Sequence, residues 1–376
     1  MKATRIHLQW EAGFSAESYR AGVSLHSHTL HSRESLDLLY RAAQHSALLR
    51  AALRHAETRY RKFSGTDLKL ERGWWTPPLA PLDAYNVECN QIRSLGLNPL
   101  VSLTDHDDIE APMSLQAIDA ARKVPISVEW TVPIHSTYLH VGIHNLPPAR
   151  ARAAAQHMQD FTAKPDLAAL KEILAGFHAN PGTLIVLNHP LWDEKGVGAE
   201  AHRKAVLELL GRCGEYIHAV ELNGLRPWNE NRQAILLGRT WFKPIVSGGD
   251  RHALEPNVTL NLTNAECFSG FAAEIRRGYS SVLITSRYRQ EHRMRIAQNV
   301  LDVLGTYDDH GLGWREWPDR VFYKLDNGAV QSLAQIWGEH PPASIAAFSA
   351  CLRLASRTPL RQAIRAVSSR AQVVAL

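Results

Sequence analysis

Short apolar runs rich in Val, Ile and Leu recur along the chain: Gly22–Leu25, Leu100–Leu103, Ile126–Val128, Tyr138–Ile143, Thr183–Leu187, Ile217–Leu222 and Pro244–Val246. Runs this short and this continuously apolar predict strands buried on both faces, and so a parallel sheet. Between them the apolar spacing shifts to 3.6. That period predicts helices over Leu36–Arg61, Pro81–Leu95, Ser114–Arg122, Asp166–His178, Ala199–Leu210 and Asn231–Leu237. Strand alternating with helix leaves two architectures, an α/β barrel or a doubly wound sheet. The strand ends choose between them. Nearly every run finishes in polar, ionisable residues, as in LHSHT, LTDHDD, VEW, LNHP, ELNG and SGGDRH. A barrel brings all its strand C-termini to one face, whereas a doubly wound sheet concentrates chemistry at one switch point. The pattern therefore predicts a barrel.

Two regions fall outside this rhythm. Residues 40–85 add a helical segment and a loop, Gly73-Trp74-Trp75-Thr76-Pro77-Pro78, placed to act as a lid. The tryptophans there either stack on a base or pack in a small satellite core, and packing is the commoner role of Trp. Residues 286–376 lose the strand signal and predict a helical extension, with helices near Glu291–Val303, Ser344–Ala355 and Leu360–Val367. Ser344 is the expected N-cap of the second. The expected division is a barrel domain over 1–285 followed by that extension.

Composition narrows the class. Of 376 residues, 45% are hydrophobic and 21% charged, which suits a globular chain and excludes disordered or fibrous classes. No apolar run is long enough to span a bilayer and no secretory leader is legible, so the expected setting is cytoplasmic, away from membranes. The four cysteines (Cys89, Cys213, Cys267, Cys351) form no CxxC pair, which excludes a thiolate zinc ribbon. A net charge of +5 permits a nucleic-acid partner without requiring one. The 19 histidines are the anomaly.

Six of them sit at strand ends. His26-Ser27-His28 places two imidazoles at i and i+2, on one side of a strand. Thr104-Asp105-His106-Asp107, then Glu129, His140, Asn188-His189-Pro190 and Gly248-Gly249-Asp250-Arg251-His252 follow in order. Imidazoles mixed with carboxylates suit Zn, Mn or Fe, and a carboxylate such as Glu129 can bridge two ions.

These motifs resemble the PHP (polymerase and histidinol phosphatase) family of metal-dependent phosphoesterases. The H-x-H-T-x-x-S signature is matched by His26 to Ser32, T-D-H by Thr104-Asp105-His106, H-P by His189-Pro190, and G-S-D-x-H by Gly248 to His252. Glu274 to Tyr279 resembles the family's last helix. The match covers roughly 20–285. It implies a distorted seven-stranded TIM-like α/β barrel with two or three divalent ions at the strand C-termini. By the resemblance, the first ion takes His26, His28, Glu129 and Asp250; the second shares Glu129 and adds His140 and His189. The third takes His106, His252 and a residue after the HxH element. The family often has Asp where this chain has Arg33, so Glu34 or His31 must serve, with Glu34 preferred.

The expected activity is hydrolysis of a small phosphate mono- or diester by a metal-bridging hydroxide. Asp250 and Asp105 are the candidate catalytic carboxylates, with Asp250 able to relay a proton. Arg226 and Arg251 are candidate phosphate contacts, a second-layer salt bridge being the other reading of each. A nuclease, a non-hydrolytic regulatory module and an amidohydrolase are the competing functions. Substrate identity and oligomeric state are not legible.

Overall fold

The computed structural model describes residues 4–36, 47–305 and 316–338, with positions 343, 346, 347, 349–351 and 374 beyond them. Its strands, numbered in chain order, are β1 (Arg5–Leu8), β2 (Ala21–Ser24), β3 (Glu34–Ser35), β4 (Gly73–Trp75), β5 (Asn98–Val101), β6 (Ile126–Ile134) and β7 (Thr137–Leu146). There follow β8 (Leu184–Leu187), β9 (Ala219–Asn223), β10 (Ile245–Gly248), β11 (Thr259–Thr263), β12 (Ser281–Ile284), β13 (Val321–Lys324) and β14 (Val330–Ser332). Every apolar run named above lies on or overlaps one of them.

The strands form two five-stranded sheets, ordered β1-β12-β11-β2-β5 and β10-β9-β8-β7-β6, and a four-stranded sheet ordered β14-β13-β4-β3. The mixed α/β class is as expected. Among the described residues no continuous ladder closes the large sheets into one barrel; two isolated parallel bridges, Ser27 with Arg251 and His106 with Glu129, join them. An all-parallel arrangement is also not what forms. β6 and β7 are separated only by His135 and Ser136, too short a link for anything but an antiparallel hairpin, and His135 takes the left-handed conformation (φ 54°) that such a turn needs. β11 runs antiparallel to both β2 and β12. Its alternation of polar and apolar residues, TLNLT, hides it from a search for apolar runs. Asn261 of β11 is nonetheless buried, bonding the Ser247 N–H (2.8 Å) and carbonyl (2.9 Å).

The large sheets face each other across Val23 and Leu25 on one side and Val186, Ala219 and Val246 on the other, with Phe271 and Ile275 of helix Phe268–Arg276 in the same cluster. Outside, β6 and β7 pack on helices Ala151–Ala163, Leu167–His178 and Ala199–Cys213. Trp130 is the largest side chain buried there. Its indole N–H donates to the Met158 carbonyl (3.1 Å) and Thr162 Oγ1 (3.0 Å), so polarity is satisfied and truncation to Ala should destabilise by about 3–5 kcal/mol. Asp166 caps Leu167–His178 by accepting from the Ala168 N–H.

The helix expected over Ser114–Arg122 is instead Glu110–Leu115 followed by a 3-10 turn, Asp119–Ala121. Pro112 explains the earlier start, because proline fits the first helical turn without losing a bond. The helix expected near Glu291–Val303 is His292–Val303. The wholly helical reading of the chain beyond 285 is overturned by β13 and β14. They are short and half-exposed, and β13 pairs with β4, some 250 residues earlier in the chain, so no local pattern betrays them. The Trp/Pro-rich loop likewise contains a strand, β4. Ser344 lies outside the described residues, as do most of the two helices expected around and after it. No helix among the described residues is long and apolar enough to cross a membrane.

His218 reports on the fold. Its Nδ1 accepts the Ile185 N–H (2.9 Å) and its Nε2 meets His178 Nδ1 (2.9 Å). Burial, then the charges of Arg276 and His178, pushes its pKa down to about 3. The unfolded chain, with an ordinary histidine near 6.5, binds the extra proton first, so stability falls as pH drops below about 6.5 and continues falling toward 3, by at most ~1.4 kcal/mol per pH unit. His218→Asn keeps an acceptor for Ile185 but cannot titrate. Urea melts at about pH 7 and pH 5 should show a smaller loss of stability in the variant than in the wild type.

Candidate metal centre

Just past the C-terminal ends of β2, β5, β8 and β10 the side chains converge with Glu129 and His140, which lie within β6 and β7 and not at their ends as expected. Four groups have ligand atoms within 4.8 Å of one another: His28, Glu34, His106 and His252; His26, His189 and Asp250; His26, His28 and Glu129; and His106, Glu129 and His140. The groups share members. Glu129 is the most shared by contact and is completely buried. Its Oε2 lies 2.8 Å from His26 Nε2, 3.2 Å from His28 Nε2 and 3.5 Å from His106 Nε2; its Oε1 lies 3.1 Å from His189 Nε2 and 3.5 Å from His140 Nδ1. One oxygen thus faces one set of rings and the second oxygen another.

The backbone is bent to achieve this. His26 (φ 64°) and Asp250 (φ 54°) both occupy the left-handed region, which is strained for a side-chain-bearing residue and is typically found where function needs it. The Asp250 N–H donates to the His26 carbonyl (2.7 Å) and the His28 N–H to the Arg251 carbonyl (2.9 Å), so the two bent ends hold each other. Glycine is required at both preceding positions. A Cβ at Gly248 would lie 1.6 Å from Glu221 Oε1, and one at Gly249 would lie 1.6 Å from Asn257 Oδ1. Asn257 therefore leaves no room for a side chain at the second glycine of Gly248-Gly249-Asp250.

Electrostatics identify what this pocket can hold. Burial alone would raise the Glu129 carboxyl, yet His26, His106 and His140 hold it well below the usual carboxylate range. Glu34, likewise buried, is held low by His252 and His106. Both ring nitrogens of His26 face carboxylate oxygens, Nδ1 at 2.6 Å from Glu221 Oε1 and Nε2 at 2.8 Å from Glu129 Oε2, and these carboxylates raise its pKa against burial. His28 Nε2 is buried with no hydrogen-bond partner among the described residues. Burial and the neighbouring rings hold His28 and His140 below the ordinary histidine range, so not every ring carries a proton. Divalent ions satisfy lone pairs and carboxylates together, so the donor set fits metal, and its nitrogen and oxygen composition fits Zn, Mn or Fe.

Each expected site residue has a definite place. His26, His28, Glu34, His106, Glu129, His140, His189, Asp250 and His252 all belong to the converging groups. Glu34 Oε2 lies 3.4 Å from His106 Nε2 and 3.2 Å from His252 Nε2. His31 belongs to none of the four groups. Arg226 lies beside Asp250, Nη2 to Oδ2 3.7 Å, with its guanidinium 3.8 Å from the centre of the Trp192 ring. Arg251 requires correction. Its side chain turns behind the site, donating to Glu88 Oε1 (2.8 Å) and to the Ala253 (2.8 Å) and His28 (3.3 Å) carbonyls, so it braces the loop and does not face a substrate. Asp105 also points away from the ligand groups. It accepts from the Thr29 N–H (2.5 Å) and hydroxyl (2.7 Å), and burial pushes its pKa up to about 7 against those bonds. It positions the HxHT loop.

Two residues escaped the sequence reading. Glu221, buried in β9, accepts from His26 Nδ1 and the His189 N–H (2.7 Å) and so orients two of the imidazoles. A carboxylate inside the apolar run HAVELNG was the available signal. Glu194 comes within 3.8 Å of His140 Nδ1 and lines, with Arg33 and Tyr138, a cleft of about 610 Å³ opening beside Glu34, His106 and His140. Nothing in its local sequence marks it.

No family model and no curated protein matches the chain. Solved structures resemble parts of it. An amidohydrolase from Chromobacterium violaceum, solved with sulfate and no metal, shares 16% identity over 47% of this chain and 84% of its own, with a TM-score of 0.33. A protein from Bifidobacterium adolescentis assigned as a metal-dependent phosphoesterase shares 14% over 53% of this chain and 92% of its own, with a TM-score of 0.35. What this site can do rests on its own geometry.

Partners that orient a ligating histidine typically contribute 10–100-fold to metal affinity. Glu221→Gln keeps the shape of the side chain but weakens its hold on His26. Competition with a chromogenic chelator should show metal affinity reduced by about that factor, with the thermal transition of the chelated protein little changed; an unaltered affinity would show that Glu221 does not orient His26.

Proposed function

We propose that this chain is a metal-dependent hydrolase of a small phosphate ester, and that the two large sheets are the halves of a distorted seven-stranded barrel formed by β2 and β5–β10. The bridges from Ser27 to Arg251 and from His106 to Glu129 support that closure. The observation that carries the function is Glu129, whose two oxygens face two sets of imidazoles as a carboxylate shared by adjacent cations must. His26, His28, Glu129 and Asp250 would hold one ion, Glu129, His140 and His189 a second, and Glu34, His106 and His252 a third. When bound, such ions supply Lewis acidity and a water acidified to near neutral pH.

The chain's own residues do the rest. Arg226 is a cation beside Asp250 that is not itself a ligand, and its planar guanidinium suits a phosphoryl oxygen. Stacking on Trp192 fixes that plane. Asp250 presents Oδ1 to His26 and His28 and Oδ2 to Arg226 and Asn223, so one oxygen can ligate while the other accepts a proton. Glu221 and Asp105 hold the imidazoles and the HxHT loop. The cleft beside Tyr138 and Glu194 admits a small substrate.

Protein purified without chelator should carry two to three equivalents of Zn, Mn or Fe and turn over phosphomonoesters or phosphodiesters. Arg226→Met should lower kcat/KM by about tenfold or more, a loss typical of a missing charge-assisted contact, with metal content unchanged. Less than one equivalent of metal defeats the proposal. Turnover of amides and not of phosphate esters would move the reaction to C–N bonds.

A further inference from the structure

Glu34 reaches the site by an indirect route. It belongs to β3, only two residues long, whose sole sheet partner among the described residues is β4. β4 in turn lies on β13, with Trp75 opposite both Glu34 and Val321 and Trp74 opposite both Ser35 and Phe322. Glu34, Trp75 and Val321 thus form one row across three strands drawn from three distant parts of the chain. Trp74 stacks on Phe322 (5.7 Å between ring centres), and the Trp75 ring lies 5.8 Å from that of His252, a partner of Glu34.

Arg320, just ahead of β13, locks the arrangement. It is 1% exposed, and main chain and side chain both grip Thr76: the Thr76 N–H donates to the Arg320 carbonyl (2.9 Å), and Arg320 Nη1 donates to the Thr76 carbonyl (3.0 Å). Its Nη2 donates to the Val303 carbonyl at the end of helix His292–Val303. Three residues past Thr76, the Leu79 carbonyl accepts the N–H of Leu30, inside the loop that runs from His28 to Glu34 (2.9 Å). The C-terminal segment is therefore tied to both ends of the stretch that delivers Glu34.

We propose that the segment Trp317–Ser332 acts as a remote brace for the group formed by Glu34, His106 and His252, so that occupancy of this third position depends on Arg320 and on the β4–β13 pairing. The group made by His26, His28, Glu129, His189 and Asp250 sits on the large sheets and has no such dependence. Arg320 is a positioning residue in this scheme. It touches no ligand atom and acts through Thr76 and β4. A chain with the brace disturbed would keep two ions and lose the third, which makes the C-terminal segment a determinant of metal number.

This rests on the metal reading above, and the test separates the two. Full-length wild type, Glu34→Gln, Arg320→Met and Phe322→Ala are saturated with Mn²⁺ or Zn²⁺, desalted and assayed for metal by mass spectrometry, with stepwise affinities from calorimetry. The expected result is three equivalents for wild type and two for Glu34→Gln. Arg320→Met and Phe322→Ala should each weaken the third step by tenfold or more and leave the first two unchanged. Arg320→Met combined with Glu34→Gln should lose nothing further. Phe322, half-buried on the small sheet, covers the case in which Arg320→Met fails to fold. Wild type binding less than one equivalent defeats the metal reading itself. Wild type saturating at two, or both variants retaining the third ion at wild-type affinity, overturns this proposal alone.

Discussion

Glu129 is a fully buried carboxylate, and among the described residues it is faced by rings carried by β2, β5, β7 and β8 and by the amide of Asn188. An unpaired carboxylate in that position would be several kcal/mol unfavourable, so the strand ends must deliver their imidazoles together or not at all. The left-handed backbone at His26 and Asp250, the glycines before Asp250 and the hold of Glu221 on His26 all follow from that requirement. Each is a local departure from regular strand geometry that the surrounding sheets sustain.

A second layer keeps this arrangement rigid. Glu88 and Arg251 pair behind the HxH loop, and Asn257 fills the space beside Gly249 with bonds to Ser24 Oγ (2.7 Å), the Leu25 carbonyl (3.1 Å) and Ser27 Oγ (3.0 Å). Asp105 fixes Thr29. These polar groups are buried and bond one another, with Asn257 Oδ1 left without a partner among the described residues, and such networks hold a loop in one geometry. Arg226, by contrast, stays at the rim of the ligand set, over Trp192 and beside Asp250. The two arginines differ in direction and in burial, Arg251 being enclosed against Glu88 and Arg226 partly open beside Asp250.

Most of the converging side chains were legible because their residue types are unusual at the ends of apolar runs and recur in order. A histidine or carboxylate that terminates an apolar run has few structural reasons to be there, and six such endings reinforce one another. The helices with clear periodicity were equally plain: Pro81–Ser94, Leu167–His178 and Ala199–Cys213 match their predicted spans closely. What was lost had no local signature. β11 alternates polar and apolar residues because its polar side chains bond neighbouring strands, and β13 finds its partner across most of the chain. Glu221 looked like an interruption in a strand, and Glu194 like an ordinary loop acid.

The histidines and carboxylates that converge and the strand-and-helix alternation were thus legible in the chain's own order, because periodicity and residue type are local properties. Direction was not. Whether Arg251 faces a phosphate or Glu88, whether Glu34 or His31 joins His106 and His252, and whether Trp74 stacks on a base or on Phe322 depended on which distant strand each loop meets. The hairpin of β6 and β7 and the small sheet joining β3, β4, β13 and β14 are likewise pairings at long range. Side-chain aim is set by packing against residues remote in sequence, and only the tertiary structure brings those residues together.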